Sequence, residues 1–168
     1  MPAKVPGRTA KKIASASAYV QSPIGFLRVS GNEKWVQAVE FCEKPGPETD
    51  HIPACLRLAC LQLDEYFQGK RSKFEIPLNL RGTVFQKQVW AALRKVPFGR
   101  TLSYGAIARA IRHPYSGRAV GGANHRNPVA IIVPCHRIIG HNGRLTGYGG
   151  GLWRKQWLLD HERKVSGR

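Results

Sequence analysis

The chain has 168 residues, enough for one compact domain or two small ones that bury a core without disulfide bonds. Its four cysteines occur in no short paired spacing, which argues against a disulfide framework or a zinc ribbon. Because no stretch is apolar for long enough to be a signal peptide or a membrane span, we expect a cytoplasmic protein without membrane attachment, nucleoid-associated if its source is prokaryotic.

Positive charge is concentrated in the second half of the chain. Lys and Arg outnumber Asp and Glu by 27 to 10, and residues 81–168 hold 16 of the basic side chains but only two of the acidic ones. Between Ile76 and Leu159 there is no carboxylate side chain. A surface that is merely soluble mixes both signs, whereas removal of acids favours contact with phosphates. We therefore predict that this half binds nucleic acid.

Residue patterning predicts the elements of the first half. Residues 1–12 lack periodicity and are expected to form a disordered basic tail. Residues 13–42 alternate as strands do, with turns at SPIG and GNEK, which predicts an antiparallel meander. After a proline-rich loop, apolar spacings of three and four predict a helix that ends at Gly69, and KFEIPL predicts a short strand. The alternation stops near Leu80, where we place a domain boundary.

The second half is predicted to be mostly helical. RGTVFQKQVWAALRKV indicates a helix that Thr83 is placed to cap, and LSYGAIARAI and GRAVGGANHRN indicate two short helices around a tight turn, as in a helix-turn-helix. The candidate recognition helix has a centre of small residues, namely Ala119, Val120, Gly121, Gly122 and Ala123. Small residues allow close backbone approach and favour docking in the minor groove; a packed core helix is the alternative interpretation.

Cys135 is the candidate nucleophile. It lies beside His136 in an apolar run interrupted by Pro134, and a thiol next to a potential base suggests nucleophilic catalysis. Neighbouring side chains of an extended chain point to opposite faces, so we expect a water molecule to connect the two residues. The other cysteines are expected to be inert and packed: Cys42, Cys55 and Cys60.

A histidine that accepts a proton needs a partner that fixes its tautomer, commonly a carboxylate. Only Asp160 and Glu162 are available in residues 81–168, and both lie near the end of the predicted helix GLWRKQWLLDHE. The periodicity of that helix predicts an inward face composed of Leu152, Trp153, Trp157 and Leu158, with His161 as a further candidate. Glu162, at its end, is placed to reach back toward His136.

Several separated motifs resemble one known family. The segments SYGAIA, RAVGGANHRNP, IVPCHRI, GYGGG and KQWLLDHE follow in the order and spacing of the O6-alkylguanine-DNA alkyltransferases, also called methylated-DNA-protein-cysteine methyltransferases, over residues 83–162. The first 80 residues match only in the SPIG turn and in DEYFQGK. The resemblance implies an α+β fold, with a small ribonuclease-H-like α/β domain over residues 13–80. A mostly helical domain over residues 81–168 then carries the helix-turn-helix and the active-site cysteine loop.

The resemblance also implies a function and a partner. The chain would repair duplex DNA by flipping out an O6-alkylguanine nucleotide and moving its alkyl group irreversibly onto Cys135, once per molecule, without a cofactor or metal. The DNA would be bound through its minor groove by a monomer. Activity on O4-alkylthymine, cooperative binding along DNA and the accepted range of alkyl groups are left open. Some relatives bind zinc in the first domain, but the spacing of the cysteines and His51 does not support such a site.

By resemblance, His136 deprotonates Cys135 through a water, Glu162 orients His136, Asn127 braces the hinge before the active-site loop, and Tyr104 protonates the leaving guanine toward N3. Arg118 corresponds to the arginine that enters the base stack when the damaged nucleotide leaves it. The remaining implied residues fall into two groups. DNA contacts are implied for Ser103, Tyr104, Arg118, Ala119, Gly121, Gly122 and Ala123, and a guanine pocket for Tyr104, Val133, Pro134, Tyr148 and Gly149.

Three other functions compete with this interpretation. A non-catalytic lesion-binding protein of the same scaffold would lack the nucleophile, and Cys135 within PCHR argues against it. A helix-turn-helix regulator would fit the charge but not the glycine-rich recognition helix. A cysteine hydrolase would need an oxyanion loop, which the sequence does not reveal.

Overall fold

A computed structural model describes residues 15–47 and 49–167, so the predicted tail over residues 1–12 lies outside the described residues. The first half begins with the predicted meander, formed by β1 (Ala16–Ser22), β2 (Gly25–Gly31) and β3 (Val36–Cys42) in antiparallel order. The β1–β2 turn ends at Gly25, whose φ of 107° suits a residue without a side chain. Alternate residues of β2, such as Leu27 and Val29, are fully buried.

One face of α1 (Ala54–Phe67) covers the sheet. Its buried residues follow helical spacing, from Leu56 through Ala59 and Leu63 to Tyr66. As predicted, the helix stops before Gly69, which adopts a left-handed φ of 73°. The strand predicted for KFEIPL is wrong: only Leu78 forms a bridge there, with Val36. Pro77 has no N–H to donate, so the segment contributes a carbonyl to Val36 but cannot extend the ladder.

The helices of the second half occur where the sequence predicts them. They are α2 (Val84–Leu93), α3 (Tyr104–Ala110), α4 (Gly117–His125) and α5 (Leu152–Val165). Thr83 caps α2 in a capping box with Gln86, and Ser103 caps α3. The helix pair α3 and α4 packs on α2. Two very short parallel strands that the sequence does not signal, β4 (Leu102–Ser103) and β5 (Ile138–Ile139), fasten the chain after Cys135 to the start of α3.

The inward face predicted for α5 is partly wrong. Leu158 is buried as predicted, but Leu152 and Trp153 are 47% and 57% exposed. The buried residues of this helix are Lys155, Leu158, Leu159 and Glu162, which share one face at spacings of three and four. A search for apolar residues misses this face because two of its members are charged. No helix within residues 15–47 and 49–167 is long and apolar enough to cross a membrane.

The two halves share one continuous core. Val39 of β3 exchanges backbone hydrogen bonds with the segment after α4, donating to Pro128 and accepting from Ala130. On the other side of the sheet domain, His161 of α5 bonds the carbonyl of Tyr66 at 2.8 Å. The first contact ends five residues before Cys135, so the sheet domain packs against the segment that leads to this cysteine.

Candidate active site

Cys135 begins a single 3-10 turn, Cys135–Arg137, directly after Pro134, and its side chain is buried. The approach to this turn is unusual, because buried Ile131 has a φ of 70°, a conformation that a β-branched residue rarely adopts. Asn127 spans the segment: its Nδ2 donates to the Val133 carbonyl at 2.8 Å, and its Oδ1 accepts from the Val129 amide at 3.0 Å. The Asn127 side chain therefore holds together the bend that presents Cys135.

Of the two carboxylates left open by the sequence, Glu162 is the one that meets His136. Its Oε1 lies 2.7 Å from His136 Nε2, and both side chains are fully buried. Asp160 is exposed and pairs with Gln156 and Arg163 instead. The offset of two residues along α5, a little over half a turn, decides the matter, because it turns position 162 inward and position 160 toward solvent.

Glu162 is the centre of a larger buried network. It accepts two hydrogen bonds from Arg137 Nε and one from Arg137 Nη2 at 2.9 Å. The Tyr66 hydroxyl and the Gly99 amide each donate to it at 2.9 Å. Arg137 is held in turn by the Val96 carbonyl at 2.7 Å. Every oxygen of the buried carboxylate is thereby satisfied, as a stable buried charge requires.

These contacts set the charge states of the pair. Burial would raise the pKa of Glu162, but the hydrogen bonds from His136 and Arg137 outweigh it and hold that pKa far below its usual range. Burial lowers the pKa of His136 against the opposing pull of Glu162, so the imidazole is neutral at neutral pH. With its proton on Nε2, facing Glu162, the histidine presents an unprotonated Nδ1, which has no hydrogen-bond partner among the described residues.

Cys135 rests as a thiol. Burial raises its pKa, although the Asn127 amide and the Lys155 charge act in the opposite direction. A buried neutral thiol needs a base before it can act as a nucleophile, and the unprotonated Nδ1 of His136 is such a base. Among the described residues no hydrogen bond joins the thiol to the imidazole, so the connecting water stays a prediction. Two other cysteines are held as thiols in the same way: burial raises the pKa of Cys55, and that of Cys60 to about 11.

Cys135 opens onto a cavity of about 630 Å³. Its walls come from four places: the end of β3, the helix pair α3 and α4, the segment from α4 to Cys135, and the loop before α5. The lining includes Val39, Phe41, Tyr104, Arg118, Gly121, Asn124, Asn127, Thr146, Tyr148 and Gly149. A volume of this size accommodates a purine base with a substituent. Tyr104, Arg118, Gly121, Tyr148 and Gly149 are thus brought together with Cys135 as the resemblance implies.

Other residues with implied roles lie elsewhere. Val133 and Pro134 are buried and are not among the residues that line this cavity. Ala123 packs inward, and its carbonyl accepts from Trp90 Nε1 at 2.9 Å. Ala119 is exposed, and a side chain added at Gly117 would meet no atom within 4 Å. One face of α4 therefore packs in the core, as the core-helix interpretation expects. The other face is open, as the docking interpretation expects.

Lys155 is a functional candidate that the sequence analysis missed. Its side chain is fully buried, and its ammonium group donates to the carbonyls of Ile138 and Thr146. Burial lowers its pKa to about 8, against the opposing influence of Cys135. The ammonium group also lies 5.9 Å from the centre of the Tyr104 ring, whose hydroxyl donates to the same Thr146 carbonyl at 3.0 Å. Tyr104 and Lys155 together hold Thr146, at the start of the loop before α5 that lines the cavity.

No group of three His, Cys, Asp or Glu side chains among the described residues is arranged to hold a metal ion. The side chains of the site supply a buried thiol, a neutral imidazole backed by a carboxylate, and a phenol at the cavity wall. This set can generate a thiolate and supply a proton to a leaving group.

Comparison with known proteins gives the site a context. A family profile described as "6-O-methylguanine DNA methyltransferase, DNA binding domain" matches residues 84–164. A second, described as "6-O-methylguanine DNA methyltransferase, ribonuclease-like domain", matches residues 16–80. A methylated-DNA–protein-cysteine methyltransferase of Mycobacterium leprae is 57% identical over 149 residues, which cover 86% of this chain and 90% of the relative. One from Methanosarcina acetivorans is 45% identical, over 86% of this chain and 96% of the relative.

Solved structures agree with these relatives. The crystal structure of Mycobacterium tuberculosis O6-methylguanine methyltransferase matches with a TM-score of 0.82 and 43% identity, over 90% of this chain and 94% of that one. A structure of Mycobacterium tuberculosis OGT in complex with DNA matches with a TM-score of 0.80 and 45% identity, over 88% and 92% of the two chains. The α+β fold with a small sheet domain and a helical domain is thereby confirmed.

Proposed function

The chain belongs to the 6-O-methylguanine DNA methyltransferase family, and from that membership we propose that Cys135 is the residue that accepts the alkyl group. The function of the protein is DNA repair by alkyl transfer, an enzymatic activity of the transferase class. One observation carries the assignment: Cys135 lines the large cavity and directly precedes the buried His136–Glu162 pair. Neither a regulator nor a non-catalytic lesion binder needs a nucleophile and a base in that arrangement.

The proposed reaction is a direct displacement. The thiol proton of Cys135 passes through a water to Nδ1 of His136, and Glu162 stabilises the imidazolium that forms. The thiolate sulfur attacks the alkyl carbon, a sulfur–carbon bond forms, and the bond between that carbon and O6 of guanine breaks. The electrons of the broken bond go to the guanine, which takes up a proton from the Tyr104 hydroxyl toward N3. Because the thioether has no leaving group that water can use, each molecule acts once.

The rest of the machinery delivers the base to Cys135. The partner is double-stranded DNA that contains an O6-alkylguanine. We place α3 and α4 of a monomeric protein against the minor groove of this DNA. The backbone of α4 supports this placement: a side chain at Gly117 would meet no atom within 4 Å, and Gly121 lines the cavity beside the Tyr104 ring. Arg118 lies at the mouth of the cavity, where an extruded nucleotide enters. Residues 81–168 form the domain that binds the DNA and accepts the alkyl group. The protein works in the cytoplasm, associated with the nucleoid if its source is prokaryotic.

Mass spectrometry tests the assignment of the acceptor. After incubation with a duplex containing O6-methylguanine, the intact protein should gain the mass of one methyl group, and peptide mapping should locate it on Cys135. The same duplex without the lesion is the control and should leave the mass unchanged. A repaired duplex beside an unmodified Cys135 would exclude the proposed mechanism.

Arg118→Ala tests the delivery of the base. The variant should react with a methylated duplex at least about tenfold more slowly, because unstacking a base costs a few kcal/mol that the arginine helps to offset. Its reaction with free O6-benzylguanine, which needs no extrusion, should stay close to the wild-type rate. Arg126→Ala, at the residue that follows the same helix and outside the cavity lining, is the matched control. Equal losses on both substrates would remove the proposed role of Arg118.

A further inference from the structure

The cavity loop, residues 146–151, packs against the sheet domain. The ring of Phe41, in β3, meets the ring of Tyr148 edge-on at a centroid distance of 6.3 Å. At Gly150 an added Cβ would come within 2.7 Å of the Phe41 ring, so the loop backbone lies directly against it. Phe41 thus supports both the pocket tyrosine and the glycine that follows it two residues later.

Arg154 ties the same loop to a second part of the sheet domain. From the first turn of α5 its Nε donates to the Ile24 carbonyl at 2.7 Å, and its Nη1 donates to the Gly150 carbonyl at 2.8 Å. The guanidinium group also lies over the Phe41 ring, 4.7 Å from its centre. Ile24 belongs to the β1–β2 turn, so one side chain joins that turn, the end of β3 and the cavity loop.

The loop depends on such outside contacts because its own sequence restrains it little. Four of the five residues from 147 to 151 are glycines, and Gly147 and Gly151 have φ values of 46° and 92°. A glycine backbone loses more conformational entropy on ordering than any other, so a fixed position must be imposed by neighbouring groups. The position of Tyr148 in the pocket wall therefore depends on the contacts that hold this loop.

We propose that Phe41 and Arg154 form a brace through which the sheet domain positions the cavity loop, and that this brace determines how well the pocket binds guanines with bulky O6 substituents as free bases. The inference rests on the proposed function. A free base draws all of its binding energy from the pocket, whereas a duplex also gains energy from phosphate contacts outside it. Loss of the brace therefore acts selectively on the free base.

The test compares two rates of Cys135 alkylation in Arg154→Ala, one with free O6-benzylguanine and one with a duplex containing O6-methylguanine. We expect the free-base rate to fall about tenfold, a loss within the range for charge-assisted hydrogen bonds, and the duplex rate to fall less than about threefold. Arg154→Lys should recover part of the free-base rate, because an ammonium group keeps the charge but lacks the planar fork. Arg163→Ala, on the exposed side of α5, is the matched control and should change neither rate.

A second variant keeps the inference falsifiable if Arg154→Ala does not fold. Phe41→Leu retains an apolar side chain but removes the ring beneath Arg154 and Tyr148, and it should show the same selective loss. Unchanged free-base rates, or equal losses on both substrates, would overturn the brace. Peptide mapping should locate iodoacetamide alkylation of Cys135 at the wild-type rate in both variants, which shows that Cys135 itself is intact. A wild-type protein that transfers no methyl group to Cys135 would contradict the proposed function instead.

Discussion

Glu162→Gln should slow alkyl transfer by about a hundredfold or more while leaving DNA affinity close to that of the wild type, since general-base catalysis contributes on this scale. The amide occupies nearly the volume of the carboxylate but carries no charge. Without that charge the imidazolium that forms when Cys135 loses its proton has no counter-ion beside Nε2. The amide nitrogen can also donate to Nε2, which would leave the proton of the neutral imidazole on Nδ1, the wrong nitrogen for a base that faces Cys135.

The dependence of the transfer rate on pH distinguishes this role from a structural one. In the wild type, burial lowers the pKa of His136 below its ordinary 6.5, so the rate should be level near neutral pH and fall only at lower pH, as His136 becomes protonated. Glu162 raises the pKa of His136, so its loss should move the acid limb to still lower pH and reduce the plateau. Asp160→Asn, two residues away and exposed, is the control and should leave both unchanged. A weaker DNA affinity with an unchanged transfer rate would make Glu162 purely structural.

The sequence predicts the elements whose causes are local. The Thr83 capping box, the stop at Gly69 and the strand alternation of residues 16–42 are each produced by residues within a few positions of one another. Composition limits the carboxylate partner of His136 to Asp160 and Glu162, the only two in residues 81–168. The family resemblance selects Glu162 from these two, and the structure brings Glu162 to His136.

The rest of the site depends on contacts between distant parts of the chain. Tyr66 reaches Glu162 across 96 positions, and nothing in its own helix distinguishes it from an ordinary core tyrosine. Lys155 was missed because a lysine is expected outside, yet its spacing from Leu158 and Glu162 was a usable signal. Phe41 lies in the half of the chain that resembles the family least, and its place at the cavity follows only from the docking of β3 against the segment after α4.

Arg137 is the member of the buried network whose removal should cost the most stability. Arg137→Met keeps an unbranched apolar stem but leaves the Glu162 carboxylate without its bidentate partner and the Val96 carbonyl without a donor. Breaking one side of a buried ion pair costs about 3–5 kcal/mol. For a chain of this size we therefore expect the melting temperature to fall by about 10 °C or more. Arg163→Met breaks the exposed pair with Asp160 and should shift the melting temperature by no more than about 2 °C.

Acid denaturation supplies the second test of Arg137. A loss of stability in Arg137→Met can come from the missing charge beside Glu162 or from the missing volume of the side chain, and these two explanations differ in their pH dependence. The folded wild type holds the pKa of Glu162 well below the ordinary 4.5, so the carboxylate adds stability that is present above pH 4.5 and disappears as the pH falls toward the folded value. Without Arg137 this lowering is smaller, and the stability of the variant should vary less with pH below 4.5. If Arg137 only filled space, the wild type and Arg137→Met would lose stability in parallel as the pH falls. A difference that narrows with acidification would show that Arg137 stabilises the fold through its charge interaction with Glu162.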